Sequence, residues 1–198
     1  MVKIILNKNE IDLFKEMAVL ACVGGHSQIV NGEKRAETLL SHNLIGQAGS
    51  IALNILAFES REKGVQFYKD SRDIANANPH KGDGGQDIID TNIDIKTSMV
   101  RNKVKNQNPI TYILPVRPKE FKENWTYVSA TIFEDNMKDN EVIVDVWGWA
   151  KSEDLEYTTK PFDGVYGRIN KDLRPFPLPD IWPSHLKPFI KKPEFLTF

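Results

Sequence analysis

The chain has 198 residues, 40% of them hydrophobic and 27% charged, with a formal net charge of −1 and a single cysteine, Cys22. That composition predicts one ordinary folded domain and excludes a disordered chain, an internal disulfide framework and a zinc–cysteine cluster. A charge near zero rules out a uniformly basic surface; no apolar run approaches the roughly eighteen residues of a membrane span, and Glu10 and Asp12 interrupt any leader, so a cytoplasmic protein with no membrane partner is expected.

In chain order, Asn9 followed by Asp12 predicts a capped helix with an apolar stripe of Ile11, Phe14, Met17, Ala18 and Ala21, ended by Gly24 and Gly25. Residues 33–40 read as a short helix and 44–58 as the core helix, its inner face formed by Ile45, Ala48, Ala52, Ile55 and Leu56. Residues 65–69 read as a strand, 70–81 as a loop, and 82–98 as a Gly-rich approach to a hairpin. Three further strands are expected at 110–116, 125–133 and 141–149, the last passing through Gly148 into a helix capped by Ser152, with Trp147 and Trp149 as core. The fold class is α/β, a central mixed sheet flanked by helices.

The most informative stretch is Gly82 to Ser98. In Ile93-Asp94-Ile95-Lys96-Thr97 apolar and polar residues alternate, so the isoleucines face a core while Asp94 and Lys96 share the other face, roughly 6.6–7 Å apart. Asp90-Thr91-Asn92 predicts a tight turn that returns the chain antiparallel and brings Asp87 to Asp94. Two hard carboxylates at one point suit Mg²⁺, with Mn²⁺ able to substitute; Lys96 beside them could orient a water or offset charge developing on a phosphorane. A second acid–any–lysine triplet, Glu120-Phe121-Lys122, lies in a polar, proline-flanked stretch and reads as solvated surface.

Asp87, six residues, then Asp94-Ile95-Lys96 in an Ile-rich strand resembles the PD-(D/E)xK nuclease superfamily, and Gly82 to Asp87 is similar to the Gly-rich approach of the Mrr-type restriction nucleases. The resemblance spans residues 40–116. It implies a restriction-endonuclease-like core, Asp87 and Asp94 as metal ligands, Lys96 as the catalytic lysine, and a metal-dependent DNA endonuclease of restriction or structure-selective type. One position departs from the pattern: where many members carry a helix glutamate after Gly-x-x-Gly, Gly46-Gln47-Ala48-Gly49 is followed by Ser50. Gln47, Ser50 and Asn54 form one polar helix stripe, which either faces the site, making Gln47 a candidate catalytic residue, or is ordinary helix surface. Ser50 also motivates the alternative of a nucleic-acid-binding protein that keeps the fold without turnover.

The charge near zero hides a separation. Residues 96–122 hold seven cations against one acid, whereas 134–156 hold eight acids and two lysines. Arg101, Lys103 and Lys105 therefore become candidate contacts to DNA phosphates. Residues 1–174 are read as one nuclease-like domain, with the C-terminal strands and helix in 117–174. Residues 175–198 form an arm in which Pro175, Pro177, Pro179, Pro183, Pro188 and Pro193 alternate with aromatics. Such an arm wraps either its own domain or a homodimer partner, and two active sites would serve both strands of a duplex.

Overall fold

The computed structural model describes residues 1–23, 33–58, 60–77, 87–88, 91–100, 116, 120–157 and 168–169. Within these, the chain runs β1 (Val2–Leu6), α1 (Lys8–Val23), α2 (Glu33–Ala57), α3 (Arg61–Ala77), β2 (Ile93–Val100), β3 (Thr126–Phe133), β4 (Val142–Lys151), β5 (Glu156–Tyr157) and β6 (Arg168–Ile169). Four strands form a mixed sheet in the order β1-β4-β3-β2; β1/β4 and β3/β4 are antiparallel, and β2/β3 is parallel. The pair β5/β6 is a separate antiparallel ribbon. The α/β class with a mixed sheet and helices is therefore observed, and the described helices all pack on one face of that sheet.

Strand alternation explains that single helical layer. Ile4 and Leu6 of β1, Ile93 and Ile95 of β2, Val128, Ala130 and Ile132 of β3, and Val142, Val144 and Val146 of β4 are buried in one cluster with Ile11, Phe14, Ile45, Ile51, Leu53 and Tyr68 of the helices. Each fully buried side chain of this size contributes roughly 1.5–3 kcal/mol. The register shifts at Ser129/Ala130, where Gly148 and Val146 are the successive partners, so Trp147 is the extra residue of a β-bulge. Past it the parity of β4 changes, which puts Trp149 into the helix-side core and Ala150 on the opposite face, with Val116, Tyr127 and Leu155.

Several elements depart from the sequence expectation. Strand β1, which was not foreseen, closes one edge of the sheet. The cap of α1 lies two residues early: Asn7 Oδ1 accepts the Glu10 N–H at 3.2 Å and Glu10 Oε2 accepts the Asn7 N–H at 2.8 Å, a capping box on the same Asn-x-x-acid logic. Glu10 is chosen over Asp12 because Arg61 reaches it, Nε donating to Oε1 at 2.6 Å, and also donates to the Ile5 carbonyl, tying β1, α1 and α3 together. Residues 33–57 form one helix of 25 residues rather than two. The predicted strand 65–69 and the start of the predicted loop belong to α3, whose buried Gly64, Tyr68, Ser71, Arg72 and Ala75 follow a helical period. Gly64 lets α3 seat on α2, since a Cβ there would stand 2.6 Å from the Asn54 carbonyl oxygen.

Ser152 begins a 3-10 turn, Ser152–Asp154, not a helix; its N–H donates to the Trp125 carbonyl at 2.8 Å and its Oγ accepts the Trp125 N–H at 3.3 Å, so it continues the β3/β4 pairing. The strand expected at 110–116 lies outside the described residues except for buried Val116, and the arm 175–198 lies outside them altogether. No helix among the described residues is long and apolar enough to cross a membrane.

Candidate active site on the free edge of β2

Strand β2 is the sheet edge away from β1, so among the described residues one side of its backbone has no strand partner. Asp87 fills that role. Its N–H donates to the Ile93 carbonyl at 3.1 Å, and its Oδ2 accepts the Ile95 N–H at 2.8 Å, so a carboxylate satisfies an amide on the sheet edge. Among the described residues no strand precedes β2, so the expected hairpin is seen only as this contact of Asp87 with β2 and a turn in which the Thr91 N–H donates to the Ile88 carbonyl at 3.2 Å and Thr91 Oγ1 donates to the same carbonyl at 2.6 Å. The glycines at 82, 84 and 85 lie outside the described residues.

Two helices hold Asp87 from behind. Asn54 of α2, fully buried, donates through Nδ2 to the Asp87 carbonyl at 2.9 Å and to the Ser50 carbonyl at 2.9 Å. Arg72 of α3, 6% exposed, places Nη2 3.9 Å from Asp87 Oδ1 and its guanidinium 5.9 Å from the centroid of the Tyr68 ring. The Tyr68 hydroxyl donates to Gln47 Oε1 at 2.6 Å. Burial pushes the Tyr68 phenol well above its ordinary range, Arg72 working against the shift and Asp87 with it. The polar stripe of α2 thus turns toward Asp87, but Gln47 joins the network through Tyr68 and Arg72, while Asn54 makes the direct contact. Ser50 is 1% exposed and its Oγ has no hydrogen-bond partner, as is also true of Thr97 Oγ1. At Thr97 helix α2 lies close on β2: a Cβ on Gly49 would stand 1.8 Å from Thr97 Oγ1.

On the face opposite the helices, Asp94 and Lys96 project together, as strand periodicity requires. Lys96 Nζ lies 2.7 Å from Asp94 Oδ2. The Asp87 carboxyl is within hydrogen-bonding reach of Asp94, whose own carboxyl is pushed well above the usual range by burial first and by the neighbouring Asp87 charge second, with Lys96 opposing both. For Lys96, burial favours the neutral amine, but Asp94 and Glu120 outweigh it and hold the ammonium charged above the ordinary lysine range.

Glu120 is one of three site residues that the sequence does not reveal, with Arg72 and Tyr68. It was read as solvated surface, yet its Oε2 lies 3.2 Å from Lys96 Nζ. Nothing local in the sequence announces this contact, because the chain from 101 to 119 separates the partners. Arg72 and Tyr68 were missed for another reason, the assignment of α3 as strand and loop; the helical spacing of Gly64, Tyr68, Ser71, Arg72 and Ala75 is the signal that would have found them. Arg101, Lys103 and Lys105 lie outside the described residues.

No protein-family model, curated protein or solved structure matches this chain. Among the described residues no group of three or more His, Cys, Asp or Glu side chains is arranged to hold a metal ion. The pair Asp87–Asp94 offers two hard oxygen donors in contact, the number with which Mg²⁺ is satisfied when waters and a substrate phosphate complete its octahedron. The pair fits that group chemically, since a divalent cation would offset both the burial of the Asp94 carboxylate and its repulsion by Asp87.

Proposed function

We propose that this chain is a Mg²⁺-dependent DNA endonuclease with a restriction-endonuclease-like core, hydrolysing phosphodiester bonds at Asp87, Asp94 and Lys96. The observation that carries the reading is the convergence of two carboxyl groups and a charged lysine at one strand edge, with Lys96 2.7 Å from Asp94 and Asp87 beside both. Asp87 and Asp94 would hold the metal. When bound, Mg²⁺ polarises a phosphate and lowers the pKa of an attacking water. Lys96, its ammonium held 2.7 Å from Asp94 and 3.2 Å from Glu120, offsets negative charge developing on the phosphorane or orients the attacking water. Asn54, the Ile95 N–H and Arg72 hold Asp87 rigidly, which keeps the donor pair in one geometry. The basic run from Lys96 through Arg101, Lys103 and Lys105 supplies phosphate contacts, and a homodimer would cut both strands of a duplex.

Incubation of the protein with supercoiled plasmid and with branched DNA tests the reading. Cleavage in Mg²⁺ or Mn²⁺, abolished by EDTA and by Asp94→Ala and Lys96→Ala, is the expected result; a preference for plasmid or for branched substrate separates restriction from structure-selective cutting. Ser50, buried at the position where the resemblance would have a helix glutamate, favours a second reading, a non-catalytic DNA-binding protein. Tight DNA binding by the wild-type protein without cutting under any of these conditions would decide for that one.

A further inference from the structure

A lysine ammonium has three N–H donors on a flexible four-carbon stem. In Lys96 two of them are engaged, by Asp94 Oδ2 at 2.7 Å and Glu120 Oε2 at 3.2 Å. The two anchors are not equivalent. Asp94 lies on the same strand and shares its carboxyl with Asp87, so any metal ligation draws on the oxygens that also hold Lys96. Glu120 comes from the chain leading into β3, and its backbone is fixed independently: the Tyr127 hydroxyl donates to the Glu120 carbonyl at 3.0 Å and accepts the Lys122 N–H at 2.7 Å. Tyr127 is fully buried and pairs in register with Asp94 across the β2/β3 ladder, so this second anchor is tied to the same strand pair as the site. Among the described residues no three such side chains form a metal-holding set, and the contact that Glu120 makes here is with the ammonium.

We propose that Glu120 is the positioning residue for Lys96, anchoring its ammonium from the chain leading into β3 so that Lys96 keeps its place when Asp94 turns to a metal, with one donor left for a phosphate oxygen or water. The catalytic part of this inference rests on the nuclease reading; the anchoring part does not. Without Glu120, a long side chain whose one remaining anchor is shared would sample many rotamers, and a displacement of about 1 Å at a reacting centre costs up to about 100-fold in rate.

The test has two arms. Nitrogen-edited NMR of lysine ammonium groups, with Lys96 assigned by its loss in Lys96→Arg, reads anchoring directly. The Lys96 signal should persist in Asp94→Ala, where only Glu120 holds it, and vanish by exchange broadening in Asp94→Ala/Glu120→Ala; persistence in the double variant overturns the proposal. In cleavage assays Glu120→Ala should lower kcat by about 10- to 100-fold with KM little changed, Glu120→Gln, which keeps an acceptor oxygen, should recover most of the loss, and Glu120→Ala should cost nothing further in Lys96→Ala. An equal loss in both backgrounds also overturns it. If the wild type cuts no DNA, the nuclease reading fails and the ammonium signals alone decide the role of Glu120.

Discussion

Arg72→Met removes a buried guanidinium while keeping most of its aliphatic stem, and its effect can be worked out from three distances. The ion pair to Asp87 spans 3.9 Å, with side-chain exposures of 8% and 16%. At an effective dielectric of about 20, two unit charges at that separation attract by about 4 kcal/mol. Breaking a buried pair by deleting one partner costs roughly 3–5 kcal/mol, because the remaining charge stays buried. Here the lower end applies, since the separation is at the long limit and Asp87 keeps the Ile95 N–H at 2.8 Å. The guanidinium stands 5.9 Å from the Tyr68 centroid, far enough that the cation–π contribution adds at most about 0.5 kcal/mol. A loss of about 3 kcal/mol should appear in urea unfolding as a midpoint lowered by roughly 1–1.5 M, taking a slope near the upper end for small proteins. Arg72→Met/Asp87→Asn should be more stable than Arg72→Met alone, because the stranded carboxylate is gone. A single variant within about 0.5 kcal/mol of the wild type, or two losses that simply add, would refute the view that α3 holds the site together through this pair.

Gly49→Ala would place a Cβ 1.8 Å from Thr97 Oγ1 and 2.9 Å from Thr97 Cβ, so overpacking of about 1–3 kcal/mol is expected in thermal unfolding, with Gly49→Ala/Thr97→Gly, which removes Oγ1 and Cβ together, recovering part of it; an unshifted Tm for the single variant would contradict the close α2–β2 approach. Asp145, 2% exposed, has its carboxyl pushed above the ordinary aspartate range by burial, with Lys3 at 4.0 Å and the amino terminus opposing the shift. A raised folded pKa means that the carboxyl contributes stability when protonated, below the usual aspartate value near 3.9, and that this contribution is lost as pH rises through the folded value. Asp145→Asn should therefore be more stable than wild type at neutral pH, with the gain shrinking toward acid; a less stable variant at pH 7 would show that the Lys3 pair outweighs the burial.

The legible part of the site is the part that follows from local periodicity. Alternation in Ile93-Asp94-Ile95-Lys96-Thr97 placed two isoleucines in the helix-side core and Asp94 beside Lys96, and the structure keeps both. Asp87 could be brought to Asp94 because a tight turn was visible between them, even though its exact position slipped. The core helix was legible from Ile45, Ala48 and Ala52, all buried. What could not be read depends on tertiary choice. Residues 65–69, Val-Gln-Phe-Tyr-Lys, suit a strand by composition, and only the packing of Gly64 and Tyr68 against α2 decides for helix. Asn7 and Asn9 both offer a cap, and Arg61, 51 residues beyond Glu10, selects the first. Glu120 looks like surface until the fold sets it against Lys96.

The central claim is that Asp87 and Asp94 hold a divalent ion that cuts DNA. Its most direct test is the single-turnover rate of plasmid cleavage in Mg²⁺ by the wild-type protein and by Asp94→Ala, with DNA affinity in Ca²⁺ measured for both. The account predicts equal affinity and a rate at least about 100-fold lower for the variant, because several kcal/mol of charge stabilisation depend on the ion. Cleavage by Asp94→Ala at the wild-type rate would contradict it.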